Sequence, residues 1–141
     1  MREIKFRGKT NSGNWVYGSL VRTENIQSAI YWEVGKGAIK ELEWAYAKRE
    51  TVGQFTGEVI GKQEIYEDDI IRITDNDDDE FNAVGVVKYI QSYYPAFDIY
   101  LKSDHAKTGW ENYSDEFNAF SMVNTTLEKI GNIHDNPELL K

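Results

Sequence analysis

Short runs in which apolar and polar side chains alternate recur along this chain and predict β-strands. In the first run Ile4 and Phe6 stand between charged residues, and Trp15 and Tyr17 open the second. Because successive side chains of a strand point to opposite faces, this period of two is typical of a sheet with one buried face. The Gly- and Asn-rich stretch between the runs favours a turn. The N-terminal segment is therefore expected to form a β-hairpin.

The rest of the chain continues the same pattern. We predict further strands in segments rich in β-branched and aromatic residues: Ala29–Val34, Ile71–Ile73, Val84–Ile90, Phe97–Leu101, Phe120–Val123 and Leu127–Ile133. The stretch Ile39–Ala47 fits both a helical face and strand alternation, and we favour a strand. Near the end, Asn136 is expected to cap a short helical turn in which Pro137 takes the first position and which runs through Leu140.

These elements predict a mostly β fold. We expect a small barrel-like or Greek-key domain, with an SH3-like element at its centre and a short C-terminal helical turn. The length of 141 residues is close to the commonest size of one domain, and no linker or repeat interrupts the sequence. The sequence therefore predicts a single domain, 1–141.

Composition excludes several functions. The chain contains no cysteine, which excludes disulfides, thiolate zinc sites, iron–sulfur clusters and cysteine nucleophiles. The first seven residues alternate charged and apolar side chains, unlike a signal peptide, and no apolar run is long enough for a transmembrane helix. We expect a cytoplasmic protein without a membrane partner. A net charge of −8 opposes general attraction to nucleic acid, although it leaves room for a local basic strip.

The acidic run Asp75–Glu80 is the one candidate metal site, with Asp75, Asp77 and Asp79 as weak candidate ligands. An EF-hand loop starting at Asp75 would have glycine at Glu80 and a bidentate carboxylate at Val86. Both requirements fail. We interpret the run as a solvated hairpin tip and expect no metal and no cofactor.

Three glycines, Gly53, Gly57 and Gly61, fall within nine residues and predict a tight, folded-back loop with positive φ angles. A Walker phosphate loop would have four residues between its glycines and Ser or Thr after the lysine. Here three residues separate Gly57 from Gly61, and Gln63 follows the lysine. The pattern therefore indicates a turn and not a nucleotide site.

A cluster of carboxylates before a strand leaves open an undetected hydrolase. Glu64, Glu67, Asp68 and Asp69 could supply general acid and base groups, although acidic residues are also typical of a turn that enters a strand. The two histidines, His105 and His134, are isolated in sequence, and neither shows metal-ligand or triad spacing. We therefore assign no catalytic residue.

A group of aromatic residues is the best candidate interaction face. It comprises Tyr89, Tyr93, Tyr94, Phe97 and Tyr100, interleaved with Lys88 and Lys102. Such a face on Val84–Lys102 could stack single-stranded bases. It fits a protein partner or self-association at least as well, and alternate members could simply fill the core.

Three ordered blocks resemble the YopX family of phage and prophage proteins. The central block is Thr51-Val52-Gly53-Gln54-Phe55-Thr56-Gly57, then Gly61-Lys62 and Glu64-Ile65-Tyr66-Glu67-Asp68-Asp69-Ile70. The outer blocks are Met1-Arg2-Glu3-Ile4-Lys5-Phe6-Arg7 and Leu127-Glu128-Lys129-Ile130-Gly131-Asn132-Ile133-His134-Asp135-Asn136-Pro137-Glu138-Leu139-Leu140. Asp68 stands where the family usually has Gly, and the loop Glu58–Ile60 is short. Since Asp tolerates the left-handed conformation, we expect the turn to survive.

The resemblance implies a phage or prophage origin and carries over no catalytic residue. We therefore expect a non-enzymatic accessory protein of the bacterial host cytoplasm that binds a phage or host protein or assembles as a homo-oligomer. A nucleic-acid-associated β module using Val84–Lys102 and a hydrolase with carboxylates near Glu67–Asp69 are the alternatives.

Overall fold

Ten β-strands arranged in two antiparallel sheets make up most of the described residues of the computed structural model, which are 1–24, 27–90, 96–101, 120 and 124–141. Short 3₁₀ turns follow the fourth strand, at Arg49–Thr51, and the tenth strand, at Pro137–Leu140. The predictions of a mostly β fold and of a short C-terminal helical turn are confirmed. The chain divides into two compact units, Met1–Gly57 and Glu58–Lys141.

The strands of the first unit are β1 (Phe6–Lys9), β2 (Trp15–Arg22), β3 (Ser28–Lys36), β4 (Ile39–Ala47) and β5 (Gly53–Ile60), of which β5 ends in the second unit. They pair antiparallel in the order β4-β3-β2-β1-β5, so that β1–β4 form a meander and β5 returns beside β1. Phe6 lies opposite Gly18 and Lys9 opposite Trp15, so the predicted N-terminal hairpin is confirmed. The segment that was ambiguous between helix and strand forms β4 and pairs along its whole length with β3.

Close packing at Gly8 and a hydrogen-bonded threonine hold the first unit together. A Cβ on Gly8 would come within 2.5 Å of the Ala47 Cβ, so only glycine lets β1 approach this close to the end of β4. Ile30 is completely buried beside it. The Thr51 hydroxyl donates to the Lys48 carbonyl at 2.7 Å and accepts from the Lys9 amide at 2.8 Å. The central block of the sequence therefore begins with a side chain that fixes where β5 starts.

The second unit contains a Greek-key sheet. Its described strands are β7 (Asp69–Asp75), β8 (Asn82–Ile90), β9 (Ala96–Leu101) and β10 (Thr125–Asn132). They lie in the order β10-β7-β8-β9, so that three successive described strands are side by side and the fourth returns beside the first. This confirms the Greek-key prediction. Strand β6 (Gln63–Tyr66) lies outside this sheet and forms a hairpin with the end of β5.

Strand β7 is the centre of this unit. Ile70, Ile71 and Ile73 are all completely buried, and because neighbouring side chains point to opposite faces, both faces of β7 are covered. The main cluster lies on the side of Ile71 and Ile73 and contains Ile65, Ala83, Val87 and Ile99 as well. A strand buried on both faces is typical of the middle of a fold.

Two local predictions need correction. The glycine-rich segment is not a folded-back loop, because Gly53 and Gly57 lie within the continuous strand β5 and the chain turns only at Gly61. Gly57 and Gly61 do have positive φ angles, of 90° and 63°. Asn136 occupies the capping position but makes no side-chain cap, since its Oδ1 accepts instead from the Asn132 amide at 3.4 Å. Of the strand predicted at Phe120–Val123, all but Phe120 lies outside the described residues.

Candidate functional site

The turn between β6 and β7 is built around Asp68. Its φ of 70° lies in the left-handed region, so the prediction that Asp can replace the usual glycine of this turn is confirmed. Its backbone amide donates to the Val87 carbonyl at 2.9 Å, and its carbonyl accepts from the Ile133 amide at 3.0 Å. The turn is therefore attached through its backbone both to β8 and to the segment after β10.

The Asp68 side chain joins the same two neighbours. One carboxylate oxygen pairs with Lys88 Nζ, and the other lies 3.0 Å from Nε2 of His134. The side chains of Asp68 and His134 are only 13% and 15% exposed, which strengthens their interaction relative to a pair in open solvent. Three residues from β8, the β6–β7 turn and the C-terminal turn thus form one ionic cluster.

The neighbouring Asp69 is completely buried. Its Oδ2 accepts from the Tyr66 amide at 2.8 Å and lies 3.0 Å from Lys129 Nζ, which also donates to the Glu64 carbonyl at 3.2 Å. A buried carboxylate is tolerated only where opposite charge and hydrogen bonds replace its hydration. Lys129 therefore holds Asp69 in place between β6 and β10.

The turn that carries His134 is fixed by two asparagines. Asn132 Oδ1 accepts from the amides of His134 and Asp135, both at 3.0 Å, and its Nδ2 donates to the Asp135 carboxylate at 3.0 Å. A Cβ on Gly131 would come within 2.5 Å of Asn136 Oδ1. Glycine at this position lets the chain turn tightly enough to bring the imidazole against Asp68.

The proposed acid and base carboxylates have different surroundings. Asp69 is inaccessible to a substrate, and the Asp68 carboxylate contacts Lys88 Nζ and His134 Nε2. Glu64 Oε2 accepts from the Tyr66 hydroxyl at 2.9 Å, and Glu67 is half-buried. A histidine beside an aspartate can act as a general base. Here the pair connects the β6–β7 turn to the turn after β10.

The acidic run forms the tip of the β7–β8 hairpin, as predicted. Asp75 Oδ1 accepts from the Asp77 amide at 2.8 Å, and Asp77 Oδ2 accepts from Asn124 Nδ2 at 3.1 Å. Asp79 is exposed. Among the residues that the structure describes, no group of three or more His, Asp or Glu side chains is placed to hold a metal ion.

Of the predicted aromatic face the structure describes Tyr89, Phe97 and Tyr100, and it places Tyr100 apart from the other two. Tyr89 is 52% exposed and contacts the buried Phe97 edge-on at 5.2 Å, whereas the 62% exposed Tyr100 lies opposite Val86 on the other face of the sheet. Lys88 pairs with Asp68. The remaining residues of that prediction, Tyr93, Tyr94 and Lys102, lie outside the described residues, as does His105.

A different apolar surface, which the sequence reasoning missed, lies on β4. We call it the β4 face; it consists of Leu42, Trp44 and Tyr46, which are 68%, 50% and 50% exposed, and of Tyr31 on β3. The ring centroids of Tyr31 and Trp44 are 6.0 Å apart and those of Trp44 and Tyr46 are 5.0 Å apart. The sequence signal was the alternation of Leu42, Trp44 and Tyr46, which predicted the strand but not its exposure.

An open cleft adjoins the β4 face within the first unit. Its volume is about 620 Å³, and its lining is mostly apolar, with Ile4, Val21, Tyr31 and Leu42 among the residues that form it. The lining also includes the charged residues Glu3, Lys5 and Glu33, of which Lys5 forms an ion pair with Glu3 at 3.4 Å. The cleft extends the apolar surface from β4 across β3 and β2.

The two units differ in charge. Residues 1–57 contain nine Lys and Arg against six Asp and Glu, whereas residues 58–141 contain seven against eighteen. The negative charge of the chain therefore belongs to the second unit. Because that unit carries Val84–Lys102, its charge opposes phosphate binding there.

These features define an all-β protein in which a meander with an exposed aromatic face accompanies a Greek-key sheet tied by buried ion pairs. The chain belongs to the YopX protein family, whose model matches residues 5–141 and thus runs through both units. The resemblance seen in the sequence is confirmed. Neither the curated proteins nor the solved structures contain a match. Among the described residues, no helix has the length and apolar character needed to cross a membrane.

Proposed function

We propose that this YopX-family protein is a non-enzymatic binding module of phage or prophage origin that works in the host cytoplasm by binding protein. The binding site is the β4 face, and the partner is a phage or host protein or a second copy of the chain. The observation that carries the proposal is the exposure of Leu42, Trp44 and Tyr46 side by side on one strand.

Burial of this face would supply most of the binding energy. Fully covering one exposed large apolar side chain contributes about 1.5–3 kcal/mol, so covering these three, which are 50–68% exposed, offsets part of the entropy lost on association. Trp and Tyr are also the residue types that dominate binding energy at protein interfaces. In addition, β4 lies at the end of its sheet among the described strands, where its outer backbone groups are open to another strand.

The ionic cluster supports a non-enzymatic role. Asp69 has no exposed surface for a substrate, and the Asp68 carboxylate is held by Lys88 and His134. These contacts fit the stabilisation of the turn between β6 and β7 better than proton transfer to a bound molecule. The hydrolase alternative with carboxylates near Glu67–Asp69 receives no support from this geometry.

Capture of partners from phage-infected bacteria tests the proposal. The wild-type protein is expected to retain a protein that a Trp44→Ala variant loses, while Tyr100→Ala, which removes an even more exposed aromatic ring from the second unit, keeps it. The proposal fails if capture is the same for all three proteins and the chain is also a monomer. Binding of single-stranded DNA that survives moderate salt and needs Trp44 would replace the protein partner with nucleic acid.

A further inference from the structure

Strand β4 is an open edge with apolar side chains on one face and acidic ones on the other. Seven of its nine residues are exposed, and in the described part of the chain β3 is its one neighbouring strand. Natural proteins protect such edges from pairing by charge, by shortness or by a covering element. Here the protection consists of Glu41 and Glu43, which alternate with Leu42, Trp44 and Tyr46. These two glutamates decide which register of pairing is allowed.

We propose that two copies of the chain pair β4 with β4, antiparallel, about a two-fold axis through Trp44. This inference rests on the proposed function and names the partner as a second copy. In this register Trp44 faces its counterpart, Leu42 faces Tyr46 of the second copy, and Glu43 faces Ala45. Seven residues, Glu41–Ala47, pair in each copy, and the two meanders become one continuous sheet.

Charge selects this register over its neighbours. An axis through Glu43 places that carboxylate directly against its own copy, and an axis through Leu42 places Glu41 against Glu43 twice. Like charges directly opposite each other destabilise a strand pair, whereas aromatic pairs stabilise it. The axis through Trp44 opposes each glutamate to an alanine. It is therefore the longest overlap that brings no two like charges into direct opposition.

The same register also extends the aromatic cluster on β4. Trp44 already contacts both Tyr31 and Tyr46 within one copy. Because a perpendicular two-fold axis keeps corresponding faces on the same side, the rings of both copies would join into one cluster across the axis. Half-exposed rings in the free chain become the centre of the interface, which is where binding energy usually concentrates.

Cysteine cross-linking tests the register directly, since the chain has no cysteine of its own. Directly opposed residues of an antiparallel pair have Cα atoms about 4.5–5.5 Å apart, within the range of a disulfide. Trp44→Cys should therefore give a disulfide-linked dimer on mild oxidation. Leu42→Cys should not, because the two Leu42 positions are about 13 Å apart at roughly 3.3 Å per residue.

A double variant keeps the test valid if removal of Trp44 weakens association. Leu42→Cys combined with Tyr46→Cys retains Trp44 and should cross-link through two reciprocal disulfides, while each single variant stays unlinked. Cross-linking of Glu43→Cys in place of these would overturn the proposed register. In light scattering, the unmodified protein should be a dimer, and a Leu42→Lys, Tyr46→Lys variant should raise the dimer dissociation constant more than tenfold, since it sets lysine against lysine.

The outcome separates this inference from the proposed function. A protein that stays monomeric at every concentration and does not cross-link overturns the self-pairing. If that monomer still captures another protein through Trp44, the binding function stands with a different partner. If it captures none, both proposals fail.

Discussion

Nε2 of His134 lies 3.0 Å from Oδ2 of Asp68, although 66 residues separate them in the chain. The contact joins the central block of the sequence to the C-terminal one, so the two segments that most clearly identify the family form one cluster. Since Asp68 also pairs with Lys88, the left-handed turn is held by two side-chain contacts as well as by its backbone. Its side chain compensates for a conformation that glycine would adopt more easily.

Substitutions at Asp68 should separate the contribution of its side-chain contacts from the cost of its left-handed backbone conformation. Ala and Gly both remove the ion pairs, but Ala keeps a Cβ in the left-handed region, so Asp68→Ala should destabilise the protein more than Asp68→Gly, by about 1 kcal/mol. Asp68→Asn should lose less than either, since Asn tolerates this conformation and can still accept a hydrogen bond. Urea denaturation measures all three. Equal losses for Ala and Gly would show that the turn is not held left-handed.

Removal of the Lys129 charge that faces Asp69 should lower the stability of the protein more than any of the substitutions at Asp68. Lys129→Met keeps the aliphatic stem but leaves a fully buried carboxylate without its cation, so we expect a loss of about 3–5 kcal/mol. Adding Asp69→Asn removes the uncompensated charge. The double variant should therefore be more stable than the sum of the two single losses implies. Strict additivity, measured in a denaturation cycle, would contradict a direct interaction.

Local patterns predicted the strands because a period of two is a property of neighbouring residues. The hairpin that begins with β1 and the assignment of β4 both follow from alternation alone. The contact of His134 with Asp68 could not be predicted in this way, because it depends on β10 returning beside β7. Its one trace in the sequence is that both residues lie within the blocks that resemble the family.

The exposed face shows a second limit of sequence reasoning. Alternation of Leu42, Trp44 and Tyr46 indicates that the three share a face, but it does not indicate whether another layer covers that face. Large apolar residues on one side of a strand are normally core. The interaction region predicted from the sequence was Val84–Lys102 instead, because its aromatic residues are interleaved with lysines. In the structure Phe97 of that region is buried, and Tyr100 lies on the opposite face.

Thr51→Val should reveal how much the start of β5 depends on one hydroxyl. Valine has nearly the same shape but cannot accept the hydrogen bond that the Lys9 amide donates to the buried Thr51 hydroxyl. The free energy of unfolding should therefore fall by about 1–3 kcal/mol. Thr126→Val is the matched control, because its hydroxyl contacts Asn76 at 2.8 Å on the exposed surface. The control should cost less than about 0.5 kcal/mol. Equal effects of the two substitutions on the urea midpoint would contradict a special role for Thr51.

Gly131→Ala should destabilise the turn that carries His134. Its new Cβ would meet Asn136 Oδ1 at 2.5 Å, and overpacking of this kind costs about 1–3 kcal/mol. Since the obstacle is a side chain, Gly131→Ala combined with Asn136→Ala should recover part of the loss. Amide hydrogen exchange in Ile133 should report the same change, because this amide donates to Asp68 and is released when the turn opens. A double variant no more stable than Gly131→Ala would place the cause of the loss in the backbone and not in the contact with Asn136.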